Sequence, residues 1–276
     1  MARIVIKIGG GRGIDPAALV PEIAELVEAG NEIVLVHGGS HETDELAAAL
    51  GHPPQTITSP GGRQSRRTDR RTLEIFEMAY CGKVNKGLVE ALRSAGVNAI
   101  GLSGLDAGLW IGARKDAIRS IENGRTVLIR DDLSGRVESV DAAFLELLMQ
   151  AGRTPVLTPP AGTPEGIAIN VDADRAAAAT AAALGADELL LLSNVPGLLR
   201  DPADPGSLIE QVGHDTLEAA RTAARGRMKN KVMAAEEALL AGVARVVIGS
   251  AQGEHAIHRA RQGAGTIFAT ESAVAS

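Results

Sequence analysis

Five residues of this chain could act on charged oxygens: Lys7, Arg66, Asn170, Asp174 and Lys231. Beside them are glycine turns, each following an apolar run. Ile4-Val5-Ile6 leads into Lys7-Ile8-Gly9-Gly10-Gly11, Ile33 to Val36 into His37-Gly38-Gly39-Ser40, and Val97 to Ile100 into Gly101-Leu102-Ser103-Gly104. Glycine lets backbone amides come close to an anion, and a helix after the turn adds the positive end of its dipole. Several such turns at one sheet edge point to a site for phosphates or a carboxylate. A lysine directly before the first turn points to charge being moved as well as held. Blander readings stand beside these. Lys7 could be a surface lysine, Asp174 a helix-terminal charge, Arg66 one solvated arginine among several, and Lys229 competes with Lys231. His37 reads as structural, and Cys81 as a small core residue.

Other chemistries are disfavoured. The chain has no G-x-x-x-x-G-K-[ST] phosphate loop and no G-x-S-x-G nucleophile turn. Gly9-Gly10-Gly11-Arg12-Gly13-Ile14 does not match the dinucleotide fingerprint, and the second strand ends in His-Gly-Gly instead of an acid for a ribose. A single cysteine excludes an internal disulfide framework and a cysteine-rich zinc cluster. A metal site made by the protein alone is therefore not expected.

The elements that must position these residues follow from composition and pattern. The chain has 276 residues, 45% hydrophobic but only 2% aromatic, so its core rests on Ala, Val, Leu and Ile. A net charge of −6 disfavours general nucleic-acid binding. No apolar run approaches the ~20 residues of a membrane span. A strand beginning near residue 3 leaves no room for a signal peptide, so a soluble, cytoplasmic protein is expected. Strands at 3–8, 32–36, 97–101, 154–158, 188–192 and 244–248 alternate with helical runs near 15–29, 42–50, 72–95, 141–151, 173–184, 227–242 and 254–262. This alternation predicts an α/β protein with a mainly parallel, helix-covered sheet. Residues 108–138 read as antiparallel hairpins inserted on the core, and Pro159-Pro160 as the stop of the strand at 154–158. The economical organisation is two lobes sharing one sheet, 1–165 and 166–276. One stretch opposes the acidic trend: residues 61–71 hold Arg63, Arg66, Arg67, Arg70 and Arg71 against Asp69. It is either a solvated loop or a docking face for an acidic partner.

The ordered motifs K-I-G-G (7–10), H-G-G (37–39), R-x-T-D (66–69), T-L-E-I-F-E-M (72–78), G-x-V-N-K (82–86), G-L-S-G-L-D (101–106), N-V-D-A-D (170–174), S-N-V-P-G (193–197) and G-R-M-K-x-K (226–231) span nearly the whole chain. Together they resemble the amino acid kinase family, in its acetylglutamate kinase branch. The basic stretch, His-Gly-Gly-Ser in the second turn and Y-C-G-K-V-N-K bring it closest to the kinases of [LysW]-linked aminoadipate or glutamate. The resemblance implies a three-layer αβα sandwich of the carbamate kinase-like type, with substrate bound by the first lobe and ATP by the second. It implies that Lys7 and Lys231 neutralise a transferring phosphoryl group and that Asp174 organises them. Gly38, Gly39, Arg66 and Asn170 would hold the substrate. Gly9, Gly10, Ser193, Asn194, Val195 and Gly197 would hold the nucleotide. Arg63, Arg67, Arg70 and Arg71 would dock the acidic carrier protein LysW. ATP with Mg²⁺, a downstream acyl-phosphate reductase and a homodimer complete the implied setting, in lysine and, with glutamate, arginine biosynthesis. A plain N-acetylglutamate kinase is the alternative within the family, and a non-catalytic amino-acid or nucleotide sensor is the alternative outside catalysis.

Overall fold

A computed structural model describes residues 1–62, 64–122 and 124–269. The first part of the chain runs β1 (Arg3–Ile8), α1 (Val20–Glu28), β2 (Glu32–His37), α2 (Ser40–Ala49), β3 (Thr56–Thr58), β4 (Gln64–Arg66), α3 (Arg70–Glu77) and α4 (Asn85–Ser94). There follow β5 (Ala99–Gly104), β6 (Trp110–Arg114), β7 (Ile118–Glu122), β8 (Arg125–Ile129), β9 (Gly135–Val140), α5 (Ala142–Gln150) and β10 (Thr154–Gly162). The remainder comprises β11 (Ala168–Ile169), α6 (Ala173–Ala183), β12 (Glu188–Ser193), β13 (Gln211–Val212), α7 (Leu217–Ala223), α8 (Met228–Leu240), β14 (Arg245–Ser250), α9 (Ala256–Arg261) and β15 (Thr266–Ala269).

Among the described residues one large sheet has the order β13-β15-β14-β12-β1-β2-β10-β6-β9, with β5 and β11 also paired to β10. The strands from β14 to β6 pair in parallel, as does β5 with β10. Only β15, β9 and β11 pair antiparallel to a neighbour in it. The central strands are buried on both faces, which is why they read as continuous apolar runs.

Alternation along each strand sorts these residues into two cores. Val5, Val34, Val36, Leu189 and Leu191 face the alanines of α6 and α8. Ile4, Ile6, Ile8, Leu35 and Leu190 face Leu19 and Ile23, Leu88 and Leu92 of α4, and Ile257 of α9. The three-layer sandwich follows. Lys7 has the parity of Val5, so the pleat directs it to the α6–α8 side.

Several expectations need correction. The strand expected to stop at Pro159-Pro160 runs through both prolines to Gly162. Its pairs to β5 end at Thr158 and those to β11 begin at Ala161, so the two prolines fall where no ladder amide is required. The helix expected over 72–95 is divided by a π-helical turn, Met78–Val84. The strand expected at 97–101 begins at Ala99 and continues to Gly104. The 108–138 segment does form hairpin-like pairs, but only β7–β8 stands apart, because β6 pairs in parallel with β10 and carries β9 with it into the main sheet. The edge strand β13, its neighbour β15 and helix α7 were not expected. No helix among the described residues is long and apolar enough to cross a membrane.

Candidate active site

Asp174 sits in the first turn of α6, which begins because Asp172 caps it: the Asp172 carboxylate accepts from the amides of Asp174 (3.0 Å) and Arg175 (3.1 Å). Small side chains let α6 pack closely on α8, with Ala177, Ala178 and Ala181 buried in the same core as Ala234, Ala235 and Ala238. Arg175 holds the pair together through a two-pronged bond to Glu237, at 2.6 and 2.9 Å. Asn230 of α8 donates to the second Asp172 oxygen at 2.7 Å. Lys231, the next residue, is thereby brought to Asp174. Of the two rival lysines, Lys229 is exposed and Lys231 is the one that meets Asp174.

Lys7, Asp174 and Lys231 form one buried ionic triad. The Lys7 Nζ lies 2.6 Å from Asp174 Oδ1, and the Lys231 Nζ donates to Oδ2 at 2.9 Å and to Oδ1 at 3.1 Å. All three are more than nine-tenths buried. Burial by itself would raise the Asp174 pKa, but the adjacent Lys231 and Lys7 ammoniums outweigh it and hold the carboxyl well below the usual range. Burial lowers the pKa of Lys231, and the attraction of Asp174 only partly restores it, with Lys7 adding repulsion. Two lysines against one carboxylate leave the group formally one positive charge in excess, which favours an anion beside it.

The triad opens into a cleft of about 910 Å³. The first two glycine turns pack against each other there. A Cβ on Gly10 would stand 2.0 Å from the Gly39 nitrogen, and one on Gly38 would stand 2.8 Å from the Gly10 nitrogen. The Gly38 amide donates to Ile8 O and the Gly9 amide to Leu192 O, so neither can meet a ligand as the sequence had implied for a glycine cradle. The Gly10 amide donates to no main-chain acceptor among the described residues and is left for an anion, whereas the Gly39 amide meets the Tyr80 hydroxyl.

Beyond the glycines, Arg66 and Asn170 line the same cleft. Arg66 pairs with Asp44 at 2.6 Å through Nη2, while its Nη1 is buried with no partner among the described residues. Asn170 is steered by Thr68, whose hydroxyl accepts from its Nδ2 at 3.1 Å. Asp132, itself buried, in turn accepts from the Thr68 amide at 2.9 Å. At the opposite end Ser193, Asn194, Val195 and Gly197 line the cleft, and the Ser193 Oγ is likewise buried without a partner among the described residues. His37 is no part of the chemistry. Its Nδ1–H donates to Gly38 O and its Nε2 accepts from Asn85, and burial lowers its pKa to about 4, so it stays neutral.

The basic stretch divides. Arg66 belongs to the cleft, whereas Arg67, Arg70 and Arg71 lie outside it and each has an acidic neighbour, Asp131 for the first and Glu74 for the other two. Arg63 lies outside the described residues. Sequence reasoning missed Asn230, Asp132 and Tyr80. Thr68, Tyr80 and Asn230 stood inside motifs already noted, but nothing local marks Asp132.

Comparison with known proteins agrees with this geometry. Residues 2–250 match the model of the amino acid kinase family. The chain is 56% identical to a [LysW]-aminoadipate kinase of Deinococcus radiodurans, covering 96% of this chain and 90% of that one. It is 52% identical to a [LysW]-aminoadipate kinase of Thermus thermophilus, covering 96% and 99%. A carbamate kinase from Giardia lamblia bound to AMP-PNP has the same fold, with a TM-score of 0.68 at 17% identity over 98% of this chain and 99% of that one.

Proposed function

This chain belongs to the amino acid kinase family, and on that premise we propose that it moves the γ-phosphoryl group of ATP onto the side-chain carboxylate of 2-aminoadipate whose amino group is blocked by a LysW-type carrier protein. The enzyme is a phosphotransferase with a carboxyl acceptor, and its family implies ATP use. The carrier, and aminoadipate in preference to glutamate, are inferred from the names of the two relatives above half identity.

The observation that carries the reading is the cationic Lys7–Asp174–Lys231 triad in the cleft that Gly10 also lines. Phosphoryl transfer is mainly a matter of positioning and of stabilising charge on the phosphoryl oxygens. A substrate carboxylate is already ionised near neutral pH, so the reaction needs no general base. In the proposed mechanism a carboxylate oxygen attacks the γ-phosphorus, the bond to the β,γ-bridging oxygen breaks, and an acyl phosphate and ADP result. Lys7 and Lys231 sit against the transferring group, Asp174 keeps them oriented, and the Gly10 amide binds an oxygen. The unpartnered Nη1 of Arg66 and the Asn170 side chain suit the substrate's other carboxylate and its blocked nitrogen. Ser193, Asn194, Val195 and Gly197 suit the nucleotide, with residues 1–165 as the substrate lobe and 166–276 as the ATP lobe.

Mg²⁺ belongs to this proposal. No group of three or more His, Cys, Asp or Glu gathers among the described residues, and Asp174 is engaged by two ammoniums. The donor set suits an ion carried by the nucleotide phosphates and water, with no protein cage. When bound, it would neutralise phosphate charge. Arg63, Arg67, Arg70 and Arg71 are proposed as the docking face for the acidic carrier. The acidic neighbours of Arg67, Arg70 and Arg71 reduce the field, but Arg70 and Arg71 keep about half of their side-chain surface exposed. A cytoplasmic homodimer feeding an acyl-phosphate reductase, in lysine and, with carrier-linked glutamate, arginine synthesis, completes the proposal.

The test is trapping of acyl phosphate by hydroxylamine with ATP–Mg²⁺, comparing carrier-linked 2-aminoadipate, carrier-linked glutamate and free N-acetylglutamate. Turnover confined to carrier-linked substrates supports the proposal, and their ratio assigns the pathway. Comparable turnover of free N-acetylglutamate would instead make this an acetylglutamate kinase.

A further inference from the structure

Aromatic side chains are scarce in this protein, with one Trp, one Tyr and three Phe in 276 residues. Two of these five lie together in the wall of the cleft. Phe76 and Tyr80 stack with ring centroids 3.8 Å apart and planes 23° from parallel. Both are buried, Tyr80 to 8% exposure. Gly39 abuts the same ring: a Cβ there would lie 3.0 to 3.3 Å from Tyr80 Cδ2, Cε2 and Cγ. The ring is thus braced by Phe76 and by the main chain of the glycine turn, whose Gly39 amide meets the Tyr80 hydroxyl. It cannot swing away without disturbing that turn.

Position gives the ring its meaning. The Tyr80 hydroxyl is within electrostatic reach of Arg66 and Asp44 on one side and of Asp172, two residues from Asp174, on another. Burial raises its pKa to about 12, so it stays neutral. A substrate anchored at the unpartnered Arg66 Nη1, with its reacting carboxylate at the triad, must pass its methylene chain along this wall. A rigid wall between two fixed anchors measures chain length.

We propose that Tyr80, backed by Phe76, is the residue that sets the length of the amino-acid side chain this enzyme phosphorylates, distinguishing the five-carbon from the six-carbon dicarboxylic substrate. The inference rests on the carboxyl-kinase reading above, but not on the carrier. Binding energy for one methylene in a pocket discriminates by about 10- to 200-fold, which is the scale of preference one braced ring can supply.

The experiment measures kcat/KM for 2-aminoadipate and glutamate derivatives carrying the same amino-group block, in the unmodified protein and in Tyr80→Phe and Tyr80→Leu. The block is the carrier, or acetyl if only free substrates turn over. We expect a preference of at least tenfold in the unmodified protein, retained in Tyr80→Phe, which keeps the stacked ring. In Tyr80→Leu the preference should collapse by tenfold or more, with the KM for ATP changed less than twofold. Equal use of both lengths by the unmodified protein would overturn the inference. So would an unaltered preference in Tyr80→Leu, or a preference lost in Tyr80→Phe. Absence of any acyl phosphate from either substrate, with either block, would instead overturn the kinase reading on which the inference stands. Should Tyr80→Leu fail to fold, Tyr80→Met, which fills similar volume with a flexible chain, carries the same expectation.

Discussion

Replacing Asp174 by Asn removes the only carboxylate between two buried ammoniums and leaves their shape nearly unchanged. Both ammoniums lie against Asp174 Oδ1, at 2.6 and 3.1 Å, so they are no farther apart than the sum of those distances, about 5.7 Å. At an effective dielectric of about 20, two like charges at that separation repel by roughly 3 kcal/mol. In the parent protein, each ammonium's attraction to the carboxylate at similar dielectric exceeds this repulsion. In Asp174→Asn it stands unrelieved, and about 3 kcal/mol equals roughly two pKa units on a lysine. Lys231, already lowered by burial, would be pushed further toward its uncharged form. The oriented charge pair then disappears from the transition state. Since each 1.36 kcal/mol is about tenfold in rate, kcat should fall about 100-fold or more. The deficit should widen as pH is raised across an assay range of about 6.5 to 8.5, because raising the pH favours the discharged lysine. The assay is hydroxylamine trapping at saturating ATP–Mg²⁺ and carrier-linked 2-aminoadipate, with a melting curve to confirm folding. A folded Asp174→Asn protein within tenfold of the parent kcat across that pH range would refute the electrostatic reasoning.

Three further outcomes are expected. Gly10→Ala should lose activity at least 100-fold, because its Cβ would fall 2.0 Å from the Gly39 nitrogen and drive apart the two glycine turns that pack against each other at the cleft. The same kinetic assay reads it, and activity within fivefold of the parent would show that the turns are free to separate. His37 should make the fold acid-sensitive: its folded pKa of about 4 lies below the unfolded value near 6.5, so between them the unfolded chain binds a proton that the folded chain does not. Stability is therefore lost as pH falls, by roughly 1.5 kcal/mol between pH 6.5 and 5, and denaturant titrations in which His37→Gln retains the same loss would contradict this. Neutralising Arg63, Arg67, Arg70 and Arg71 to Gln should raise the KM for carrier-linked substrate about tenfold at low salt and much less at high salt, since rim charges are worth roughly 0.2–1 kcal/mol each. An unchanged KM would reduce the stretch to a solvated loop.

The sequence alone determined the elements and the kinds of chemistry available. Its apolar runs and glycine turns are local signals, and the double-sided burial of a parallel sheet appears directly as an unbroken apolar run such as Leu189 to Leu192. The strand parity that turns Lys7 toward α6 was likewise implicit in a period of two. Local signals failed where long-range pairing decided the outcome. The prolines at 159 and 160 look like a stop, yet they occupy a gap in pairing that tolerates them. The strand β15 forms because β14 offers an edge, and nothing in its own residues announces that.

Only the tertiary structure decided which members of the candidate set act together. Lys7 and Lys231 are 224 positions apart in the chain, and their meeting at Asp174 depends on alanine-lined helices approaching closely and on Arg175–Glu237 holding them. Gly38, Gly9 and Gly39 carried the motif but use their amides within the fold, while Gly10 leaves its amide open. Asp132 left no trace in the sequence, and Tyr80 stood in a noted motif with no sign of its role, because supporting a neighbour's side chain or bracing a wall requires only contact, and contact is a property of the folded chain.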